Sequence, residues 1–255
     1  MWGLLAGKAH PASESAAGKS TLNRLEVSIA RQTDGSDRYH KIDLDEQAIH
    51  RLFTNWYIDT HRSDPPGLIV LDLDATDDRL HDGQQGAFFH GYYDHYCYLP
   101  LYIFAGDHLL WAELRRSNID TSAGSSDAVA QIVEQLRQTW PGIAIILPAD
   151  SGFAREELMS WCESNEVDFV FGLAKNSRLR QAIAKQARAA RQLHEQSGKS
   201  ERVFAEFFYQ TLDSWSRRRR VIGKTEHGSK GANPRFVVSS LSAEDMDKRC
   251  LYEEF

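Results

Sequence analysis

The sequence has little cysteine and no long apolar run, and these absences exclude several classes of protein. Its three cysteines, Cys97, Cys162 and Cys250, are widely spaced and form no C-x-x-C pair, which argues against a disulfide framework or a structural zinc site. No stretch approaches the roughly 20 apolar residues of a membrane span, and residues 1–8 are too short for the apolar region of a signal peptide. We therefore expect a cytoplasmic protein without a membrane partner.

The excess of negative over positive charge is small, since the formal net charge is only −6. The two signs are nevertheless segregated along the chain. Between Lys175 and Lys230 there are fourteen Lys or Arg residues against five Asp or Glu residues. An acidic part next to a basic part suits a metal-dependent enzyme that acts on a polyanion, because carboxylates bind cations and cations bind phosphates. The alternative is a solvated helix face.

Two aspartates each close an apolar run of the strand type. Asp74 ends the run at residues 68–74, and Asp150 ends the run at residues 143–150. Carboxylates at the carboxyl ends of neighbouring strands are where α/β folds place their ligands. The pair predicts a metal site, which a third carboxylate would normally complete.

Residues 71–76 are compatible with two chemistries. In the first, Asp74 is a ligand in a two-metal phosphoryl-transfer site. In the second, the same run resembles the first motif of haloacid-dehalogenase-like phosphatases, with Asp72 as nucleophile and Asp74 as general acid. Asp74 is thus the more important residue in the first chemistry, and Asp72 is the more important residue in the second.

The periodicity of the chain predicts an α/β fold. A helix capped by Asp43 or Asp45 runs to about His61, with Ile49, Leu52, Phe53, Trp56 and Tyr57 on its packing side. Three strands follow, the last two joined at residues 106–107, and then a helix, a strand, a second helix and another strand. The result is a mixed sheet flanked by helices.

The basic part of the chain reads as a helix at residues 177–197 followed by three strand-like runs, at residues 203–212, 217–224 and 235–241. Between the first two runs lies an indole beside four guanidinium groups, Trp215 with Arg217, Arg218, Arg219 and Arg220. Such a group could clamp a DNA backbone and stack a base, or it could be an exposed β-turn.

Several short segments, taken in order and spacing, resemble the DDE-class insertion-sequence transposases. The resemblance is carried by residues 17–26, 74–76, 90–93, 98–102, 114–115, 149–153, 172–176 and 251–253. It implies a ribonuclease-H-like core with Asp74 and Asp150 as catalytic ligands of two Mg²⁺ or Mn²⁺ ions, and a β-rich insertion that holds the transposon end. DNA is the implied partner, with Lys175 among its contacts, in a bacterial, nucleoid-associated setting.

The resemblance also implies four regions: an amino-terminal segment at 1–62, a catalytic core at 63–176, a basic helix and insertion at 177–244, and a return to the core at 245–255. In the family, the third carboxylate lies on a helix with Tyr, Arg, Glu and Lys beyond the 251–253 motif, and neither Glu253 nor Glu254 has its register. We therefore expect a transposase fragment that is inactive or weakly active alone and that pairs with itself or with full-length transposase. The open alternatives are a non-catalytic DNA-binding remnant and the phosphatase.

Overall fold

The computed structural model describes residues 45–80 and 88–255. Most of the first of its two compact units, Met1–Ile49, falls outside these residues, and so do Asp43 and the 17–26 motif. The elements in chain order are α1 (Glu46–Thr60), β1 (Leu68–Val70), β2 (Asp72–Ala75), β3 (Asp78–Arg79), β4 (Phe88–His90), β5 (His95–Tyr98), β6 (Leu101–Ala105), β7 (His108–Glu113), α2 (Ser125–Thr139), β8 (Ala144–Ala149), α3 (Glu156–Ser164), β9 (Asp168–Leu173), α4 (Ser177–Ala182), α5 (Ala184–Ser197), β10 (Glu201–Tyr209), β11 (Arg219–Gly228), β12 (Gly231–Ala232), β13 (Arg235–Ser239) and α6 (Lys248–Glu254).

The main sheet is mixed and has the strand order β10-β11-β13-β9-β8-β2-β6-β7. Strands β2, β6 and β7 are antiparallel neighbours, whereas β8 runs parallel to β2 and β9 runs parallel to β8. Strand β1 pairs with β8 in the same register as β2, so the two form one strand interrupted at Leu71. This order confirms the prediction of a ribonuclease-H-like mixed sheet flanked by helices.

The alternation of side chains in β2 decides which groups face the core. Leu71, Leu73 and Ala75 are buried, while Asp72 and Asp74 between them are exposed, because successive residues of a strand point to opposite faces. The predicted hairpin is confirmed: Gly106, with φ of +57°, and Asp107 form the two-residue turn between β6 and β7. A positive φ at this position favours glycine.

Two hydrophobic clusters lie on the sheet. The larger contains most of the buried residues of β2, β6, β8 and β9, together with residues of α2 and α3, Leu179 of α4 and Ile183. The smaller contains Ile146, Val170 and Ile222 from the sheet, with Leu241 and Leu251 from the last part of the chain. Helix α6 therefore packs on the sheet through Leu251, which is completely buried.

The buried face of α1 differs from the predicted one. Leu52 and Trp56 are 43% and 58% exposed, and the buried residues of this helix are Thr54, Tyr57 and Ile58. The helix carries apolar residues on more than one side, so helical spacing alone did not identify the side that packs. Asp45 caps the helix as predicted, since its Oδ1 accepts a hydrogen bond of 2.9 Å from the Ala48 amide.

The basic helix is two helices, α4 and α5, which meet at Ile183. Ile183 is buried and packs so closely on β11 that a Cβ at Gly223 would lie 2.7 Å from Ile183 Cγ2. The strands that follow are continuous with the main sheet, since β13 pairs antiparallel with β9 and β11 pairs with β13. The β-rich region thus extends the sheet beyond β9.

Candidate active site

Asp74 and Asp150 lie at the same edge of the sheet. Leu73 of β2 is in register with Ala149 of β8, and each aspartate is the next residue along its strand. Because neighbouring strands are about 4.8 Å apart, this register brings the two backbones close together. Both side chains are exposed. The structure therefore brings together the two aspartates that the sequence singled out.

The backbone around Asp150 is tightly packed. The Gly152 amide donates a hydrogen bond of 2.7 Å to Asp150 Oδ1, and the buried Phe153 anchors the end of the turn. A Cβ at Gly152 would lie 2.8 Å from Thr121 Cγ2, and a Cβ at Gly172 would lie 3.0 Å from the Ser151 amide nitrogen. Glycine at both positions allows the Asp150 turn to fit between residue 121 and β9.

The electrostatic field at this edge is negative. Although Asp72 is exposed, loss of part of its hydration to the surrounding protein, and then the neighbouring charge of Asp74, raise its pKa above its ordinary value. Burial also raises the pKa of Tyr93, and the charges of Asp77, Asp150 and Asp74 add to this effect. Among residues 45–80 and 88–255, no Lys or Arg forms an ion pair with Asp74 or Asp150. No cation from these two ranges therefore neutralises either carboxylate.

Divalent metal ions fit this donor set in part. Carboxylate oxygens are hard ligands, and Mg²⁺ is commonly held by one or two carboxylates together with water and substrate phosphates. Within the part of the chain that the structure describes, no group of three or more His, Cys, Asp or Glu side chains could hold a metal. Glu253 pairs with Arg249 at 3.1 Å along α6, and it does not join Asp74 and Asp150 in such a group.

Two pairs of polar side chains beside the site were missed by the sequence reasoning. His95 Nε2 lies 2.6 Å from Asp77 Oδ2, and Arg155 Nη2 lies 3.0 Å from Asp120 Oδ2. The partners are 18 and 35 residues apart in the chain, so no short-range sequence pattern predicts either pair.

The four consecutive arginines do not form one exposed patch, contrary to the picture of a DNA clamp or exposed turn drawn from the sequence. Arg217 and Arg218 are exposed, whereas Arg219 and Arg220 are buried. The indole of Trp215 is also buried, at 5% exposure, with the Arg219 guanidinium 5.6 Å from the ring centroid. In this structure that indole has no open face on which a DNA base could stack.

Arg219 is held by two glutamates of α3. Its guanidinium donates hydrogen bonds to Glu156 Oε2 at 2.7 Å and to Glu163 Oε1 at 2.6 Å. Burial alone would lower the pKa of Arg219, but these partners outweigh burial and raise it. Burial likewise opposes ionisation of Glu156, yet hydrogen bonds from Arg219, Ser160 and Ser216 bring its pKa down to about 2. The network joins α3 to the start of β11.

Arg220 points to the other face of the sheet. It donates to Glu206 and to the backbone carbonyls of Leu241, Ser242 and Met246, so it secures the segment that leads to α6. Lys175 is exposed in the turn after β9, next to the strand that carries Gly172. Of the predicted DNA contacts, therefore, Lys175, Arg217 and Arg218 are placed where a ligand could reach them.

Comparison with known proteins places the chain among transposases. The family model for "Transposase DDE domain group 1" matches residues 4–255. No curated protein sequence matches the chain.

Similar solved structures include a piggyBac transposase synaptic complex with hairpin DNA, with 13% identity and a TM-score of 0.34 over 73% of this chain and 36% of that one. They also include the catalytic domain of Mos1 mariner transposase, with 8% identity and a TM-score of 0.31 over 61% of this chain and 74% of that one. A Mos1 paired-end complex with Mn has 9% identity and a TM-score of 0.30 over 59% of this chain and 49% of that one. The chain thus spans about a third of the piggyBac transposase chain and half of the Mos1 chain in the complex.

Proposed function

The chain belongs to the DDE transposase family, and we propose that it cuts and joins DNA with Asp74 and Asp150 as two ligands of Mg²⁺ or Mn²⁺. The observation that carries the proposal is the position of these carboxylates at one edge of the sheet, level with each other on β2 and β8. Neither has a cationic partner within the described ranges, 45–80 and 88–255. An exposed acidic pair left unneutralised suits an external cation better than a structural role.

In the proposed reaction, the fold holds and orients the carboxylates of Asp74 and Asp150. The Gly152 amide fixes Asp150 Oδ1, which leaves Oδ2 without a hydrogen bond to any residue that the structure describes. Asp74 is fixed through the pairing of β2 with β6, where it lies opposite Tyr102. A bound divalent ion would supply a Lewis acid at the scissile phosphate.

We propose DNA as the partner of the exposed cations. Lys175 follows β9 on the side of the sheet edge that carries Asp150, and Arg217 and Arg218 precede β11. These side chains would contact phosphates, since Lys and Arg bind DNA chiefly through its backbone. Binding to transposon ends, pairing with a second transposase copy, a nucleoid location and weak activity of this chain alone remain predictions of the same proposal.

The test is nicking of a supercoiled plasmid by the 255-residue chain in Mn²⁺. Asp74→Asn and Asp150→Asn should each abolish nicking while leaving retention of a labelled DNA duplex unchanged. Asp59→Asn is the matched control, because Asp59 is exposed near the end of α1, its one ion pair among the described residues is with Arg62, and the change removes the same charge. Nicking that survives in both active-site variants would refute the metal assignment.

Retention of the duplex without nicking by any protein, including the unmodified chain, would favour the non-catalytic DNA-binding remnant. A companion metal titration separates the two cases. A remnant that has lost the site would bind DNA and show no Mn²⁺ binding that depends on Asp74.

A further inference from the structure

The turn that carries Asp150 is tied to a second loop by an arginine that lies outside the carboxylate pair. Arg155 donates from Nε and Nη2 to Asp120 Oδ2, at 3.2 and 3.0 Å, and from Nη1 to the Ser151 carbonyl at 3.4 Å. One guanidinium therefore contacts both the residue after Asp150 and the loop that precedes α2. Its partner in that loop lies next to Thr121, the residue that packs against Gly152.

Asp120 is itself fixed in one orientation. Its Oδ1 accepts hydrogen bonds from the Ser122 amide at 3.0 Å and from the Ser122 hydroxyl at 2.7 Å, which leaves Oδ2 for Arg155. Burial would raise the pKa of Asp120, but the bonds from Ser122 and Arg155 prevail and lower it. The carboxylate is thus held ionised, as an acceptor, toward the Asp150 turn.

The contact is too exposed to serve mainly as a source of stability. The side chains of Arg155 and Asp120 are 45% and 49% exposed, and exposed ion pairs contribute about 0–1 kcal/mol. The loop also has a separate anchor, because the buried Arg115 donates to the carbonyls of Leu99 and Ala123. Removing Arg155 should therefore leave the fold intact and release only the local arrangement at Asp150.

We propose that Arg155 and Asp120 are positioning residues that orient the Asp150 carboxylate. By holding residue 121 against Gly152, the pair keeps the Gly152 amide on Asp150 Oδ1 and turns Oδ2 outward. Groups that orient metal ligands in this way commonly change metal affinity when they are removed. This inference rests on the proposed metal-binding function of Asp150, but the orientation itself can be measured without metal.

The first experiment records the Gly152 amide resonance in the metal-free protein. Arg155→Gln and Asp120→Asn should each shift this resonance, because the hydrogen bond to Asp150 Oδ1 weakens. Arg62→Gln is the control, since it breaks an ion pair of similar charge with Asp59 far along the chain. An unchanged Gly152 resonance in Arg155→Gln would overturn the proposal, whether or not the protein binds metal.

The second experiment titrates Mn²⁺ into the same proteins. We expect Arg155→Gln to weaken Mn²⁺ binding roughly tenfold, the usual lower range for residues that support a metal ligand, with an unchanged melting temperature. Arg155→Lys should restore part of the affinity, because it keeps the charge but loses the planar fork. A shifted amide with unaltered Mn²⁺ affinity would overturn the positioning role.

The remaining outcomes are also distinguishable. If the unmodified chain binds no Mn²⁺, the proposed function fails, and the amide measurement alone decides whether Arg155 orients Asp150. If Arg155→Gln lowers DNA retention in the presence of EDTA and leaves both the amide and Mn²⁺ binding unchanged, Arg155 is a DNA contact and the positioning proposal is wrong.

Discussion

Two acidic pairs in this molecule have opposite surroundings. Glu156 and Glu163 lie on α3 and share the buried guanidinium of Arg219. Asp74 and Asp150 lie at the carboxyl ends of β2 and β8, and among the described residues no Lys or Arg pairs with either. The first pair is neutralised from within the fold, whereas no cation among the described residues neutralises the second, which we propose binds a cation from outside. The glutamate pair thus stabilises the fold, whereas the aspartate pair forms a candidate metal site.

The arginine run illustrates the same division within four residues. Arg219 and Arg220 face opposite sides of β11 and are both buried in ion pairs, because consecutive strand residues alternate between the faces of a sheet that is covered on both sides here. Arg217 and Arg218 precede the strand and remain exposed. Sequence position relative to the start of β11, rather than residue type, separates structural arginines from candidate DNA contacts.

The largest expected effect comes from removing the cation of the neutralised pair. Arg219→Met removes the buried cation from Glu156 and leaves Glu163 with only the exposed Arg217 at 3.5 Å, so we expect the free energy of unfolding to fall by about 3–5 kcal/mol. Arg217→Met is the matched control, since its side chain is 61% exposed and its contact to Glu163 is 3.5 Å. That variant should be destabilised by less than about 1 kcal/mol. Urea unfolding measures both, and equal destabilisation would contradict the division between the two arginines.

A smaller effect on the free energy of unfolding is expected when the pH is lowered. The pKa of Glu156 is lowered from 4.5 to about 2, so its ionised form is favoured in the folded state. The stability that this pairing contributes is present above pH 4.5 and is lost as the pH falls from there toward 2. Glu156→Gln should therefore be less stable at neutral pH and should show a flatter fall of unfolding free energy over this range. The same pH dependence in both proteins would assign the acid sensitivity to other groups.

The smallest expected effect concerns the exposed half of the arginine run. Arg217→Gln with Arg218→Gln should weaken retention of a DNA duplex and reduce the slope of log affinity against log salt by roughly 2, about one for each phosphate that the protein no longer neutralises. Stability should hardly change. Neutralising Arg191 and Arg202, which are exposed and paired with Glu195 and Glu226, provides the comparison. An unaltered salt slope in the first double variant would remove Arg217 and Arg218 from the DNA surface.

Much of the fold could be predicted from the sequence because its signals are local. The hairpin at Gly106 and Asp107, the α2 helix and the two aspartate-bearing strands follow from turn residues and periodicity. Helix α1 shows the limit of such signals, since Leu52 and Trp56 have the right spacing and still lie outside. Which apolar side of a helix packs depends on the surface that the helix contacts, and the sequence of the helix alone does not specify that surface.

The candidate site was predictable only in its carboxylates. Asp74 and Asp150 stand out because each closes an apolar strand, whereas Arg155 and Asp120 are 35 residues apart and meet only when the chain between them has folded. The burial of Arg219 could not be predicted either, since a run of four arginines suggests an exposed basic patch. Only the folded structure shows that the glutamates of α3 pair with Arg219. Long-range pairing of charges is the information that single-sequence patterns lack.

The most direct test of the account is a Mn²⁺ titration of the unmodified chain, Asp74→Asn and Asp150→Asn, followed by electron paramagnetic resonance of free Mn²⁺. We predict saturable binding by the unmodified chain, abolished in both aspartate variants and retained in Glu163→Gln, whose carboxylate is already paired within the fold. Equal Mn²⁺ binding by all four proteins would contradict the claim that the unneutralised pair is the metal site.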